Sequence, residues 1–126
     1  MLFRSPAWLN EGLAEWFEAR CDGRRGLSYG EIAVLQTADA RGMLPSIVDL
    51  SAPSFGRLSS EAAALAYLTS YALIDHVARQ RGDDAVRELA HALVRSRDLE
   101  RSLDRVARTS SLELEASLRL ELGLGG

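Results

Sequence analysis

The sequence EAAALAYLTSYALIDHVARQR occupies residues 61–81 and contains neither proline nor glycine. Its apolar residues fall on nearly every side of a helix: Leu65, Leu68, Ala72 and Val77 share one face, and Tyr67, Tyr71 and Ile74 share another. A helix that is apolar all round is covered by neighbouring elements. We therefore predict a central helix over about 60–81, capped by Ser59 or Ser60 and ended by Gly82.

The composition of the whole chain favours helix. Leucine and alanine supply 39 of the 126 residues, whereas valine, isoleucine and threonine together supply 12. Since β-branched residues are those that favour strands, we predict one all-α domain of about six helices. No apolar run approaches the roughly 20 residues of a membrane span. The single Cys21 excludes an internal disulfide and a cysteine-rich metal cage.

The remaining helices lie on both sides of the central one. A first helix is predicted over about 6–20, with Leu9, Leu13, Trp16 and Phe17 on one buried face. A second is predicted over about 28–41, and the proline- and glycine-containing stretch 43–58 is interpreted as a loop or short turns. Closing helices are predicted within 83–122, starting near residues 83, 98 and 110.

Histidine and acidic residues are the candidate metal ligands in this sequence. Glu88 and His91 have the Glu-x-x-His spacing of di-iron bundles, but the chain has no second copy of that motif. A zinc site from His76, His91 and Glu11 would need three separate predicted helices to converge. The more ordinary interpretation of His91 is a surface or capping residue.

The sequence contains no motif for a serine nucleophile or for phosphate binding, and its arginines do not indicate nucleic-acid binding. The Gly-x-Ser-x-Gly turn of serine hydrolases and a phosphate-binding glycine loop are both absent. The arginines between 95 and 108 alternate with acidic residues and have no aromatic neighbours; they are Arg95, Arg97, Arg101, Arg105 and Arg108. With a net charge of −3, the chain is predicted to expose these arginines to solvent and to bind no nucleic acid.

An acidic stripe on the first helix is less ordinary. Glu11, Glu15 and Glu18 follow one another at i, i+4 and i+7, and like charges at that spacing are mildly destabilising. Gly12 lies in the same helix, where glycine costs about 1 kcal/mol relative to alanine. We infer that another segment approaches the backbone closely at Gly12.

The segment from Pro6 to Trp16, PAWLNEGLAEW, resembles the third-ligand segment of the gluzincins, the thermolysin-like zinc metallopeptidases. That resemblance implies that Glu11 is the third zinc ligand and that Asn10 and Glu15 lie beside the metal ligands, where Glu15 orients a histidine. Residues 66–76, AYLTSYALIDH, look like a helix of the bacterial peptidase-MA-like domains. This second resemblance implies that Tyr67, with Tyr71 as the alternative, stabilises the oxyanion that forms during peptide hydrolysis.

The chain departs from the gluzincin pattern in one respect that matters for chemistry. It contains no His-Glu-x-x-His, which would supply two zinc ligands and the general base, and only five residues precede Pro6. Catalytic zinc needs three protein ligands. We therefore expect neither tightly bound zinc nor peptidase activity from this chain alone; zinc and a peptide or protein substrate belong to the complete enzyme.

Two hypotheses follow. In the first, the chain is the C-terminal helical portion of a zinc-dependent peptidase, and the motif lies upstream of the printed sequence. In the second, it is a non-catalytic interaction module derived from a peptidase. Such a module would self-associate or bind a partner protein through an exposed apolar face formed by Trp8, Leu9, Trp16 and Tyr67.

Overall fold

A computed structural model describes residues 5–95 and 98–125. Within them the chain forms seven helices and no strand, which confirms the all-α prediction. Their bounds are α1 Ala7–Cys21, α2 Tyr29–Ala40, α3 Ile47–Leu50, α4 Ser60–Arg81, α5 Asp83–Arg95, α6 Leu99–Ala107 and α7 Ser111–Glu121. In this part of the chain no helix combines the length and the apolar character needed to cross a membrane.

Helix α4 is the central helix of the fold, as predicted. The Ser59 hydroxyl accepts a hydrogen bond from the Ala62 N–H, and the helix ends at Gly82, whose φ of +89° favours glycine. Every residue from 69 to 78 is buried. Helices α1, α2, α5 and α7 all pack against it.

Helix α1 packs against α4 through the face that carries Gly12. A Cβ atom at this position would lie 2.6 Å from the Ser70 carbonyl oxygen and 2.7 Å from Ile74 Cγ1. The predicted close approach to the Gly12 backbone is therefore present, and the approaching segment is α4. Trp16 is fully buried on this helix, but Phe17 is 37% exposed, so its predicted burial was wrong. Its ring edge meets Trp16 at 5.1 Å between centroids.

The predicted loop 43–58 contains a helix that the sequence interpretation missed. Helix α3 starts with a capping box, in which the Ser46 hydroxyl and the Asp49 carboxylate each accept the other residue's backbone N–H. Ile47 and Leu50 are buried. The Ile47 N–H also donates to Glu115 Oε2 at 2.6 Å, which joins α3 to α7.

The arginines of the closing helices lie at the surface. Arg95, Arg101, Arg105 and Arg108 are exposed, as predicted, and Arg97 lies outside the described residues. Capping fixes the start of two of these helices: Asp98 accepts from the Arg101 N–H, and Ser110 accepts from the Glu113 N–H.

Arg20 joins the end of α1 to the start of α5. Its guanidinium lies 4.5 Å from the centre of the Trp16 ring and donates to both carboxylate oxygens of Asp83, at 3.2 and 3.3 Å. These hydrogen bonds, followed by the attraction of Arg20 itself, lower the pKa of Asp83 from its ordinary value of 3.8. The pair is therefore pH-sensitive on the acid side.

We expect Asp83→Asn to lower the free energy of unfolding at pH 7 by up to about 1 kcal/mol, because the pair is partly exposed. A carboxyl group whose pKa is lowered by folding stabilises the protein above its ordinary pKa and loses that contribution as pH falls through the folded value. The difference in the free energy of unfolding between the wild type and Asp83→Asn, measured with urea, should therefore become smaller below pH 3.8. Burial raises the pKa of Asp75, with the opposite effect on stability, but Asp75 is present in both proteins. A difference that persists unchanged at lower pH would contradict this.

Candidate functional site

Glu11 occupies the second turn of α1, next to the glycine that packs on α4. Its side chain is half-buried and makes no hydrogen bond or ion pair with any residue that the structure describes. Both carboxylate oxygens are thus available to a ligand. Asn10, the preceding residue, is exposed, and its Nδ2 donates to the Ser5 carbonyl at 3.3 Å.

Glu15 lies one turn further along α1 and lines a cavity of about 190 Å³. Tyr67, Leu68 and Tyr71 from α4 form another wall. Arg24 and Glu31 complete the lining from the chain between α1 and α2 and from α2 itself. The structure therefore brings three of the five predicted site residues, Glu15, Tyr67 and Tyr71, to one cavity. Glu11 and Asn10 do not line it.

The two tyrosines differ in what their hydroxyl groups do. Tyr71 is buried, and its hydroxyl donates to the Gly26 carbonyl at 2.9 Å. Burial, more than the nearby Asp75, raises the pKa of that phenol. Tyr67 is 36% exposed, and its hydroxyl has no hydrogen bond within the described part of the chain. Its ring packs edge-on against Phe55, with 5.4 Å between the centroids. The Tyr71 hydroxyl therefore joins α4 to the loop that contains Gly26, whereas the Tyr67 hydroxyl is available to a ligand.

The exposed apolar face predicted from the sequence is wrong in three of its four members. Trp8, Leu9 and Trp16 are fully buried. The reason is that α3, α4 and the chain around Ala52 already cover α1; the Ala7 N–H, for example, donates to the Ala52 carbonyl at 2.8 Å. Only Tyr67 of that set reaches the surface.

The histidines lie in contrasting environments. His91 and Glu88 are both exposed, which agrees with the interpretation of His91 as a surface residue. His76 is 2% exposed and contacts two residues of α7, Ser117 and Glu121. Among residues 5–95 and 98–125, no three histidine, cysteine or acidic side chains come together as a metal site would require.

The contact between His76 and Ser117 was missed by the sequence interpretation. The residues are 41 positions apart, and no motif surrounds Ser117. The available signal was a histidine in a helix predicted to be central, where a buried polar ring needs a partner.

Comparisons of the chain with protein-family models, with curated proteins and with solved structures found no match.

Proposed function

We propose that this chain is the C-terminal helical portion of a zinc-dependent peptidase, in which Glu11 provides the third ligand of the metal. The observation that carries the proposal is the unpartnered Glu11 carboxylate beside Gly12, within the Trp-Leu-Asn-Glu-Gly-Leu-Ala sequence. Gly12 costs helix stability, and it lies where α4 packs against the backbone of α1. That contact fixes the position of α1, and so of Glu11, relative to α4.

The described residues supply only part of a zinc site. Catalytic zinc takes three protein ligands and leaves one position open, and Glu11 accounts for one of the three. The other two, together with the general base, come from a His-Glu-x-x-His helix in the complete protein. When bound, the metal acts as a Lewis acid on the peptide carbonyl.

Other residues of this chain have separate tasks in the proposed reaction. The free Tyr67 hydroxyl donates a hydrogen bond to the oxygen of the attacked carbonyl, where negative charge develops. Tyr71 was the alternative, and its hydroxyl already donates to the Gly26 carbonyl. Glu15 is one helical turn from Glu11, which suits a carboxylate that orients a histidine ligand.

The coding DNA upstream of the codon for Met1 gives a simple test. We expect an in-frame His-Glu-x-x-His roughly 20 codons before the codon for Glu11, as the resemblance implies. Stop codons throughout that region would contradict the proposal.

A further inference from the structure

A second cavity, of about 220 Å³, lies beside α4 and α7. Glu11 does not line it, and none of its lining residues lines the cavity at Glu15. His76 from α4 and Ser117 from α7 face each other across part of its wall. Val77 and Leu114 contribute apolar surface, and the charged lining consists of Arg81, Arg108 and Glu113. The lining thus includes both a hydroxyl and an imidazole.

Two residues that line this cavity, Ser117 and His76, and the carboxylate of Glu121 outside its lining are ordered as a nucleophile, a base and an orienting carboxylate. Ser117 Oγ lies 2.7 Å from His76 Nε2, and Glu121 Oε1 lies 3.4 Å from His76 Nδ1. Ser117 is exposed, whereas the imidazole is almost completely buried. Such an arrangement activates a serine hydroxyl. His76 Nδ1 makes no hydrogen bond with any residue that the structure describes, and catalytic hydrogen bonds often tighten only when substrate binds.

The charges around His76 decide which ring nitrogen carries the proton. A carboxylate accepts hydrogen bonds and cannot donate, so Glu121 favours the tautomer that is protonated on Nδ1. Nε2 then has a free lone pair, and the Ser117 hydroxyl donates to it. Arg79 fixes Glu121 through an ion pair and is itself held by Asp75 Oδ2 at 2.8 Å. Glu121 of α7 therefore favours this tautomer, and Arg79 of α4 holds the Glu121 carboxylate.

We propose that Ser117 is a nucleophile that accepts the acyl group of esters of short carboxylic acids, with His76 as its general base. Oγ forms a bond to the ester carbonyl carbon while its proton passes to Nε2. The bond to the leaving oxygen then breaks, and that oxygen takes the proton from Nε2. Water, deprotonated by the same nitrogen, releases the acid and restores Ser117.

The cavity defines the class of substrate. A volume of about 220 Å³ is below the roughly 300 Å³ at which sites for drug-sized ligands begin, so a short acyl chain fits against Val77 and Leu114. The developing negative charge on the carbonyl oxygen needs a donor. Arg81 is the candidate held in place at this cavity, because its Nε donates to the Ala107 carbonyl at 3.1 Å and its other N–H groups remain.

The purified chain can be tested with a fluorophosphonate probe and with p-nitrophenyl acetate. We expect one probe per chain, located on Ser117 by peptide mapping. Ser117→Ala should abolish labelling and ester hydrolysis, and Ser60→Ala, at an exposed serine outside the cavity, should change neither. His76→Gln should slow labelling by about 100-fold or more, the usual contribution of a general base.

Glu121 is a positioning residue, and its variant separates catalysis from structure. Glu121→Gln should lower kcat for the ester about tenfold, with KM and the thermal unfolding temperature little changed. It also serves if His76→Gln does not fold, because Glu121 lies at the surface. Absence of labelling, labelling elsewhere, or equal rates in wild type and Ser117→Ala would overturn the proposal. The proposal would also be overturned if Glu121→Gln changed the unfolding temperature and left kcat unchanged.

Discussion

Gly12→Ala is expected to lower the free energy of unfolding by about 2 to 3 kcal/mol, although alanine is the better helix former. The added Cβ would lie 2.6 Å from the Ser70 carbonyl oxygen and 2.7 Å from Ile74 Cγ1. The first of these atoms is backbone of a buried helix and cannot rotate away. Separating α1 from α4 to make room costs packing, as overfilled cores usually do. Urea unfolding followed by circular dichroism measures the loss.

Gly30→Ala is the matched control for this prediction. Gly30 also lies within a helix, α2, but a Cβ there meets only the Ser28 hydroxyl at 3.8 Å. With no clash, helix propensity alone should make this variant more stable, by up to about 1 kcal/mol. If both variants changed stability in the same direction, the packing of α4 on Gly12 would not be the reason for the glycine.

Trp16→Ala is expected to cost about 3 to 5 kcal/mol, the usual range for deleting a buried tryptophan. Trp16 is completely buried and contacts Phe17 and Arg20, so its removal also takes away the ring beneath the arginine that binds Asp83. A domain is stabilised by about 5 to 15 kcal/mol in total, so such a loss removes a large share of the free energy of unfolding. Thermal unfolding should show the change directly.

Trp16→Phe isolates the ring from the indole nitrogen. Trp16 Nε1 is buried and has no hydrogen-bond partner in the described part of the chain. Phenylalanine removes that unsatisfied donor and keeps an aromatic ring under Arg20. We expect this variant to lose less than about 2 kcal/mol. A loss equal to that of Trp16→Ala would indicate that Nε1 has a partner, such as a bound water.

Periodicity and capping residues predicted most of the helices because those signals are local. Gly82 ends α4 as expected, and Gly12 marked a close approach before the approaching helix was known. Helix α3 was missed because a helix of four residues between two prolines is too short to show a periodic pattern. Its capping residues, Ser46 and Asp49, were the one signal in the sequence that could have predicted it. Phe17 fitted the apolar spacing of α1, yet α4 and α3 cover only part of that helix.

The two sites differ in how far the sequence could describe them. The spacing of Glu11 and Glu15 is local, and residues 6–16 were enough to predict that both lie on the first helix. The mistaken apolar face arose because the sequence does not state which neighbours cover Trp8 and Trp16. The pairing of His76 with Ser117 depends on how α7 docks on α4, which residue spacing does not reveal.

Zinc content tests whether Glu11 is a metal ligand in the complete protein. The protein translated from the whole reading frame that contains this chain should hold one zinc per molecule, as should its Glu18→Gln variant, altered at an exposed glutamate of α1. Glu11→Gln should hold much less than one, with helix content unchanged, because a metal ligand is lost. Zinc retained in full by Glu11→Gln, or a zinc tightly bound by residues 1–126 alone, would contradict the proposed role of Glu11.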